Sequence, residues 1–491
     1  MWTVAQLADW CGGRVIGDAG VRLADTSTVV IDSRKVLSGD LFIALVGPNH
    51  DAHDFLPQAI EAGAGACIVS NPSIGGGRVP LIHVDDTQVA LSHLAHNWRR
   101  QFNLPMAAIT GSCGKTTTKE MARAILNRHH SPLDHHHDPL VTEGNLNNHI
   151  GLPLTLLRLR PEHHTAVVEM GINHPGEIDH LCHLAEPAVG LITGIGRAHL
   201  EGLGDTDGVA AEKGRLFADV AARGGTCVVN LDDPRVVDQA AAAERDGTTG
   251  RSGAKLFTYT TRPGVHADLC LTLDPAASKS TESTPHITID LAGERHCCEL
   301  FSAAPHQLTN AAAAAALCHV LGANAETIVR GLSAFSLPAM RGQEIQLACG
   351  ARLIDDTYNA NPESVLAALT ALCATPTMGR RIAVLGDMLE LGDQAPIMHR
   401  QLGEFAAAMG LERLVCVGDM AHHMADGADG FPTVVDQVAS ADQVAALFTD
   451  LGPGDLILVK GSRGLTMENA VADLKAVQPV KMQAADVVGN R

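Results

Sequence analysis

The stretch Thr110–Lys119, TGSCGKTTTK, narrows what this chain can fold into more than any other. Ahead of it, Met106-Ala107-Ala108-Ile109 is a short apolar run of the kind that forms a buried strand. Behind it, Met121, Ala122, Ile125 and Leu126 recur at helical spacing. Strand, glycine-rich turn and helix in that order bring backbone N–H groups and the positive end of a helix onto one point, where a phosphate binds. Lys115 then neutralises the outer phosphates, and the Thr116 hydroxyl is placed to hold Mg²⁺. The strict formula GxxxxGK(S/T) is broken once, because Ile109 stands where its first glycine belongs. A plain glycine-rich turn with a solvated lysine would leave the flanking strand and helix unexplained.

A chain of 491 residues exceeds one core, and its length suggests roughly three domains. The 46% hydrophobic and 19% charged residues mark a globular protein. Its 36 basic against 55 acidic residues leave a formal charge of −19, which argues against a nucleic-acid partner. An anionic nucleotide must then be held by local devices such as the loop. The start, MWTVAQLADWCGG, has no basic segment leading into an apolar one, and no run of about 18 apolar residues occurs. Neither a secretory leader nor membrane insertion is expected. The 12 cysteines are scattered without a CxxC, which fits reduced thiols in a cytoplasmic protein.

The pattern along the chain predicts an α/β protein of three domains: a small α/β substrate domain over 1–104, a central phosphate-loop domain with a mostly parallel sheet over 105–337, and a Rossmann-like domain over 338–491. In the first, Thr28–Ile31, Leu41–Leu45 and Ala66–Val69 read as strands and Asp86–Phe102 as a helix. Ser33 and Arg34 follow a strand, and His53 and Asp54 precede a helix; such positions serve either ligands or turns. In the second, Ala166–Glu169, Val189–Thr193 and Thr226–Asn230 are strands that end in polar or glycine-rich turns. In the third, strands at Arg352–Ile354, Ile382–Leu385, Leu414–Val417 and Leu456–Val459 alternate with helices, without a second phosphate loop. Two stretches look inserted: Arg128–Asp138, with five histidines, reads as a solvated loop rather than a metal site, and Asp274–His286 as a Ser/Thr/Pro-rich loop.

Mg²⁺ takes oxygen ligands and an occasional imidazole. Glu169 ends a strand where a carboxylate would face a loop-bound nucleotide, and His199 follows the next strand, so a metal role is assigned to both. Lys213, taken alone, reads as a surface lysine. Asn145, Asn147 and Asn148 crowd one turn with paired donors and acceptors. Asp355–Pro362, DDTYNANP, sits between strand and helix, and Asn361 can serve as the helix N-cap. Lys460–Gly464 is a further anion-friendly turn, or a solvated loop.

These motifs resemble the Mur ligase family. The phosphate loop, TEGNLNNHIGLPLTLL from Thr142, EMGINHPGEI from Glu169, the His199 segment with AEKG, and NLDDP are similar to its central-domain motifs. DDTYNANPESVLAAL and LGDMLELG are similar to the branch that adds D-alanyl-D-alanine, as are IDSRKV, GDLFIAL and DAHDF near the start. The resemblance implies an ATP- and Mg²⁺-dependent ligase that joins UDP-N-acetylmuramoyl-tripeptide to D-alanyl-D-alanine through an acyl phosphate; a monomer is expected. It implies that Gly111, Ser112, Cys113, Gly114, Lys115, Thr116 and Thr117 hold ATP phosphates, that Asn310 contacts adenine, and that Arg341, Asp356, Tyr358 and Asn361 reach ATP from the last domain. It implies metal roles for Thr116, Glu169 and His199, catalytic roles for Lys115 and His199, and a carbamylated Lys213 that joins both sets. Ser33, Arg34, His53, Asp54, Asn145, Asn147 and Asn148 are the implied substrate contacts.

Two rival readings stand beside this one. A sister ligase that adds a diamino acid often carries a DNPR-type motif in its last domain, and none is present. A non-catalytic nucleotide-binding scaffold predicts loss of Lys115, Glu169 or His199, and all three are there.

Overall fold

The computed structural model describes residues 2–73, 77–129, 139–246, 254–274 and 284–477. Residues 130–138 of the histidine-rich stretch and 275–283 of the polar one lie outside them. Three sheets follow one another along the chain, of five, nine and six strands.

The central sheet is built around the fully buried strand Met106–Thr110. Its two neighbours, Ala166–Glu169 and Val189–Ile192, both run parallel to it, with Ile109 opposite Glu169 and Thr110 opposite Ile192. The chain leaves Met106–Thr110 toward one side, through Leu140–Val141 and Ala166–Glu169, then crosses to the other through Val189–Ile192 and Thr226–Asn230. That reversal opens a crevice at the carboxyl ends of the strands, directly above the phosphate loop. The alanine-rich run reads as a packed helix and is one: Pro305–Val320 buries Ala311 to Cys318 completely against the loop helix Lys115–His129. Small side chains let the two backbones approach until the Cys318 thiol reaches the Ala122 carbonyl at 3.7 Å.

The parallel pattern does not persist to the sheet edge. Leu269–Leu273, His286–Leu291 and Glu294–Glu299 pair antiparallel. The turn at Ala292-Gly293 is too short for a crossover helix, so only a hairpin can form there.

The first sheet is parallel apart from Arg14–Ile16. Helix Thr87–Arg99 ties it to the central unit: Arg99 donates to the Ala185 and Phe102 carbonyls, both at 2.8 Å. The third sheet runs in the order Gln343–Gln346, Arg352–Asp356, Leu456–Lys460, Arg381–Gly386, Arg413–Val417, Val434–Val438, and is parallel except for its first strand. Among the described residues no helix is long and apolar enough to cross a membrane.

Candidate active site

A cleft of about 810 Å³ lies over the phosphate loop, walled by the central and third domains. The loop can take its path because Gly111 and Gly114 occupy positive φ, +147° and +83°. A Cβ at Gly111 would stand 2.0 Å from Thr193 Oγ1, and one at Gly114 would stand 2.3 Å from Asn310 Oδ1. Ser112 locks the loop to the neighbouring strand end, donating to the Gly196 carbonyl and accepting from its amide. Lys115 folds back to donate to the Gly111 carbonyl at 2.6 Å. Loss of water pulls the Lys115 pKa below its ordinary value, and the Glu169 charge partly offsets this.

Thr116 and Glu169 meet as expected, Oγ1 donating to Oε2 at 3.1 Å. Glu169 is buried and braced: its Oε1 accepts from Asn147 Nδ2 at 2.9 Å, and its amide donates to Thr142 Oγ1 at 2.9 Å. Lys119 stands 3.9 Å from Glu169 Oε2, fully buried, and donates to the Thr142 carbonyl at 2.7 Å. Sequence reasoning passed over Lys119, although it lies on the helix face shared by Ala122 and Leu126.

The third domain closes on this arrangement. Arg341 donates to Thr116 Oγ1 at 2.9 Å while its guanidinium lies 3.6 Å from the Tyr358 ring centroid. Asn361 caps helix Pro362–Ala374 and also donates to the Ser112 carbonyl at 3.1 Å. Its Oδ1 is 3.1 Å from the Cys113 thiol, whose pKa burial raises. Asp356 accepts from the buried Lys460 at 2.6 Å, so Lys460 itself is not solvated, while Arg463 and Gly464 of the same turn are exposed. Arg197 pairs with Glu363 at 2.9 Å and His199 Nδ1 with Glu390 Oε2 at 2.6 Å. Burial lowers the His199 pKa, with Glu390 working against the shift. Glu390 lies within LGDMLELG, but nothing in that motif assigns it a role, and its partner lies 191 residues away.

Other expectations meet corrections or qualifications. Lys213, which alone reads as a surface lysine, is fully buried in helix Thr206–Ala222, and its Nζ has no hydrogen-bond partner among the described residues. Burial, then the Lys115 charge, pushes its pKa well below the ordinary value. Val209, Ala210, Leu216 and Phe217 flank it at helical spacing, a signal that could have placed it inside. Asn145, Asn147 and Asn148 line the cleft, but Asn148 Oδ1 is taken by the amides of Ile150 and Gly151. In the first domain, His53 is buried with Nδ1 on Asp51 at 2.6 Å and Nε2 accepting from the Ser70 amide at 2.9 Å. It braces a loop and offers no free nitrogen. Ser33 is buried on Gln58, Arg34 is exposed and forked onto Asp32, and Asp54 is exposed; none of these four residues borders the cleft.

Among the described residues no three His, Cys, Asp or Glu side chains gather closely enough to cage a metal. Mg²⁺ needs no such cage, since it keeps waters and takes substrate phosphates beside one or two protein oxygens. Thr116 and Glu169, hard oxygen donors at the loop, fit it.

A phosphate loop at a switch point, with an acidic strand end beside it and a second α/β domain closing over both, defines a nucleotide-dependent enzyme of the P-loop class. Family models agree domain by domain: "Mur ligase family, catalytic domain" matches 25–99, "Mur ligase middle domain" 109–318, and "Mur ligase, glutamate ligase domain" 340–463. The chain belongs to the Mur ligase family. It is 37% identical over 479 residues to the UDP-N-acetylmuramoyl-tripeptide--D-alanyl-D-alanine ligase of Escherichia coli, covering 96% of this chain and 98% of that one. MurF from Acinetobacter baumannii superposes with a TM-score of 0.82 at 32% identity, covering 97% and 99% of the two chains. MurF ligase from Thermotoga maritima, solved in complex with ADP, gives 0.77 at 26% identity, covering 92% and 99%.

Proposed function

We propose that this protein is the ATP- and Mg²⁺-dependent ligase that adds D-alanyl-D-alanine to UDP-N-acetylmuramoyl-tripeptide in peptidoglycan precursor synthesis. The observation that carries it is the closed cleft, in which Lys115, Thr116 and Glu169 of one domain meet Arg341 and Asn361 of another. Near full-length identity to enzymes of that name supports the substrates.

A carboxylate is a poor acyl donor. The terminal carboxylate of the tripeptide attacks the γ-phosphorus of ATP, forming an acyl phosphate and releasing ADP. The free amine of the dipeptide then attacks the acyl carbon, the amide forms, and phosphate leaves with loss of a proton. Lys115, Arg341 and the loop amides hold the charge that moves onto the phosphate oxygens. Thr116, Glu169 and His199 would hold Mg²⁺, and a carbamylated Lys213 would hold a second Mg²⁺; the metal would supply further neutralisation of the same charge. Asn310, Asp356 and Tyr358 line the cleft and would contact the nucleotide there, Asn310 at the adenine. Asn145, Asn147 and Asn148 face the acyl substrate, and Ser33, Arg34 and Asp54 serve its UDP end. The units 1–104, 105–337 and 338–491 are the UDP, ATP and closing domains.

The enzyme acts as a cytoplasmic monomer; its twelve cysteines are all free thiols, which suits a reducing compartment. Phosphate release with purified UDP-tripeptides, with and without D-alanyl-D-alanine, tests the assignment. Release independent of the dipeptide would refute it.

A further inference from the structure

Two residues that face each other across the boundary between the central and third domains share an uncommon backbone conformation. His199 has φ +58° and Glu390 has φ +63°, two of six non-glycine residues at positive φ among those described. Such conformations cost free energy and persist where the surroundings hold them. What this pair gains is the 2.6 Å contact between His199 Nδ1 and Glu390 Oε2. A second bond repeats the clasp, with the Glu201 amide donating to the Glu390 carbonyl at 3.2 Å.

The loop that carries Glu390 is fixed from within its own domain. The Met388 amide donates to His399 Nε2 at 2.9 Å, and the Leu389 amide donates to Ser462 Oγ at 2.9 Å. Both partners are buried, so Glu390 is delivered to His199 on a rigid support. A carboxylate accepts hydrogen bonds and donates none. The proton of a neutral His199 is therefore held on Nδ1, and the lone pair falls on Nε2. His199 also lines the cleft, with 19% of its side chain exposed. A metal-binding histidine has this arrangement, with one nitrogen free for the ion and the other anchored on a carboxylate.

We propose that Glu390 is the positioning residue of His199: it sets the ring tautomer and orientation that leave Nε2 for the metal, and it does so only when the third domain is closed. The proposal rests on the reading of His199 as a metal ligand. It makes closure a condition for a competent metal site, with Glu390 as the physical link between them.

The experiment uses the full chain, unmodified and as Glu390→Ala, Glu390→Gln and His199→Gln, with Mn²⁺ as probe in the presence of ADP. Mn²⁺ affinity is read by electron paramagnetic resonance. The His199 tautomer is read by ¹⁵N resonance of the imidazoles, its signal identified by loss in His199→Gln. Glu390→Ala is expected to weaken Mn²⁺ binding about 10- to 100-fold and to move the ring proton toward Nε2. Glu390→Gln, whose Oε1 still accepts the Nδ1 proton, is expected to stay close to the unmodified protein on both readouts. Unchanged affinity and tautomer in Glu390→Ala would overturn the proposal, as would a Gln variant that falls as far as the Ala variant. An unaltered Mn²⁺ affinity in His199→Gln would remove its premise and overturn it too. None of these readouts involves the acyl substrate or the dipeptide, so dipeptide-dependent phosphate release by the unmodified protein tests the ligase assignment separately.

Discussion

Arg341 donates its Nη2 to Thr116 Oγ1 at 2.9 Å across 225 residues of sequence, and so ties the entrance of the third domain to the phosphate loop. The Tyr358 ring beneath its guanidinium keeps the side chain extended into the cleft. Arg341→Ala should raise the KM for ATP about tenfold, the loss of roughly 1.5 kcal/mol expected for one charged hydrogen bond. Arg341→Lys should recover little, because an ammonium lacks the planar fork and stacks less well on an aromatic ring. An unaltered KM in the alanine variant would remove Arg341 from the nucleotide site.

Asn361 does two jobs with two ends of one amide. Its Oδ1 accepts from the Ser364 amide as the helix N-cap, and its Nδ2 donates to the Ser112 carbonyl. Asn361→Asp keeps a capping oxygen but replaces the donor with an acceptor. Asn361→Ala loses both, and should cost about 1 kcal/mol of stability for the cap alone. The expected split is an aspartate variant with near-normal thermal stability and weakened ATP affinity, against an alanine variant deficient in both. Equal melting temperatures for the two would show that the cap contributes nothing.

The loop, its strand and its helix were legible because each is a local pattern, and Ala166–Glu169 and Thr226–Asn230 fall where the apolar runs place them. Thr116 and Glu169 were legible for the same reason: Glu169 ends the strand beside Met106–Thr110, and Thr116 opens the helix that follows the loop after that strand, so both come to the carboxyl edge of the sheet. Lys213 was legible in principle, since apolar neighbours at helical spacing surround it, and Lys119 less so, with only Ala122 and Leu126 on its face; a lysine is read as exposed by habit. Glu390 was not legible. Its role depends on how one domain docks on another, and no local periodicity encodes that. His53 and Asn148 show the converse, polar residues at strand ends and helix starts whose side chains complete turns.

Lys213 is buried, without a hydrogen-bond partner among the described residues, and held below its ordinary pKa, which favours a neutral amine. A neutral amine is what adds to CO₂, forming a carbamate with release of a proton. The product is a carboxylate that the nearby Lys115 charge would stabilise. Lys213→Ala should lose activity on the order of a hundredfold, the scale of a lost metal-site group, and a short carboxylic acid such as acetate should restore part of it. Full activity in the alanine variant, with no response to acetate, would sink the idea.

Stability should fall on the acid side through buried histidines, and buried thiols should work against it on the alkaline side. Burial lowers the pKa of His96, His180, His306 and His399 below the ordinary 6.5. The unfolded chain therefore binds protons that the folded one refuses, so stability is complete above about pH 6.5 and falls as pH drops further. His399 has the clearest cause: it is fully buried, its Nε2 accepts from the Met388 amide, and a proton there would set two donors against each other. Burial pushes Cys67, Cys227 and Cys416 from 9.0 up to about 12. The unfolded thiols lose protons first, so stability is complete below about pH 9 and declines as pH rises toward 12. Thermal melts from pH 5 to 10 should thus lose stability on the acid side through the histidines, while on the alkaline side the loss through the thiols runs against a gain from Lys115 and Lys213, whose lowered pKa values leave the unfolded chain holding the extra protons. Replacing His399 by Gln should shallow the acid limb while leaving the alkaline limb in place. A melting temperature that stays constant from pH 7.5 down to 5.5 would show that these histidines are not held neutral in the folded state.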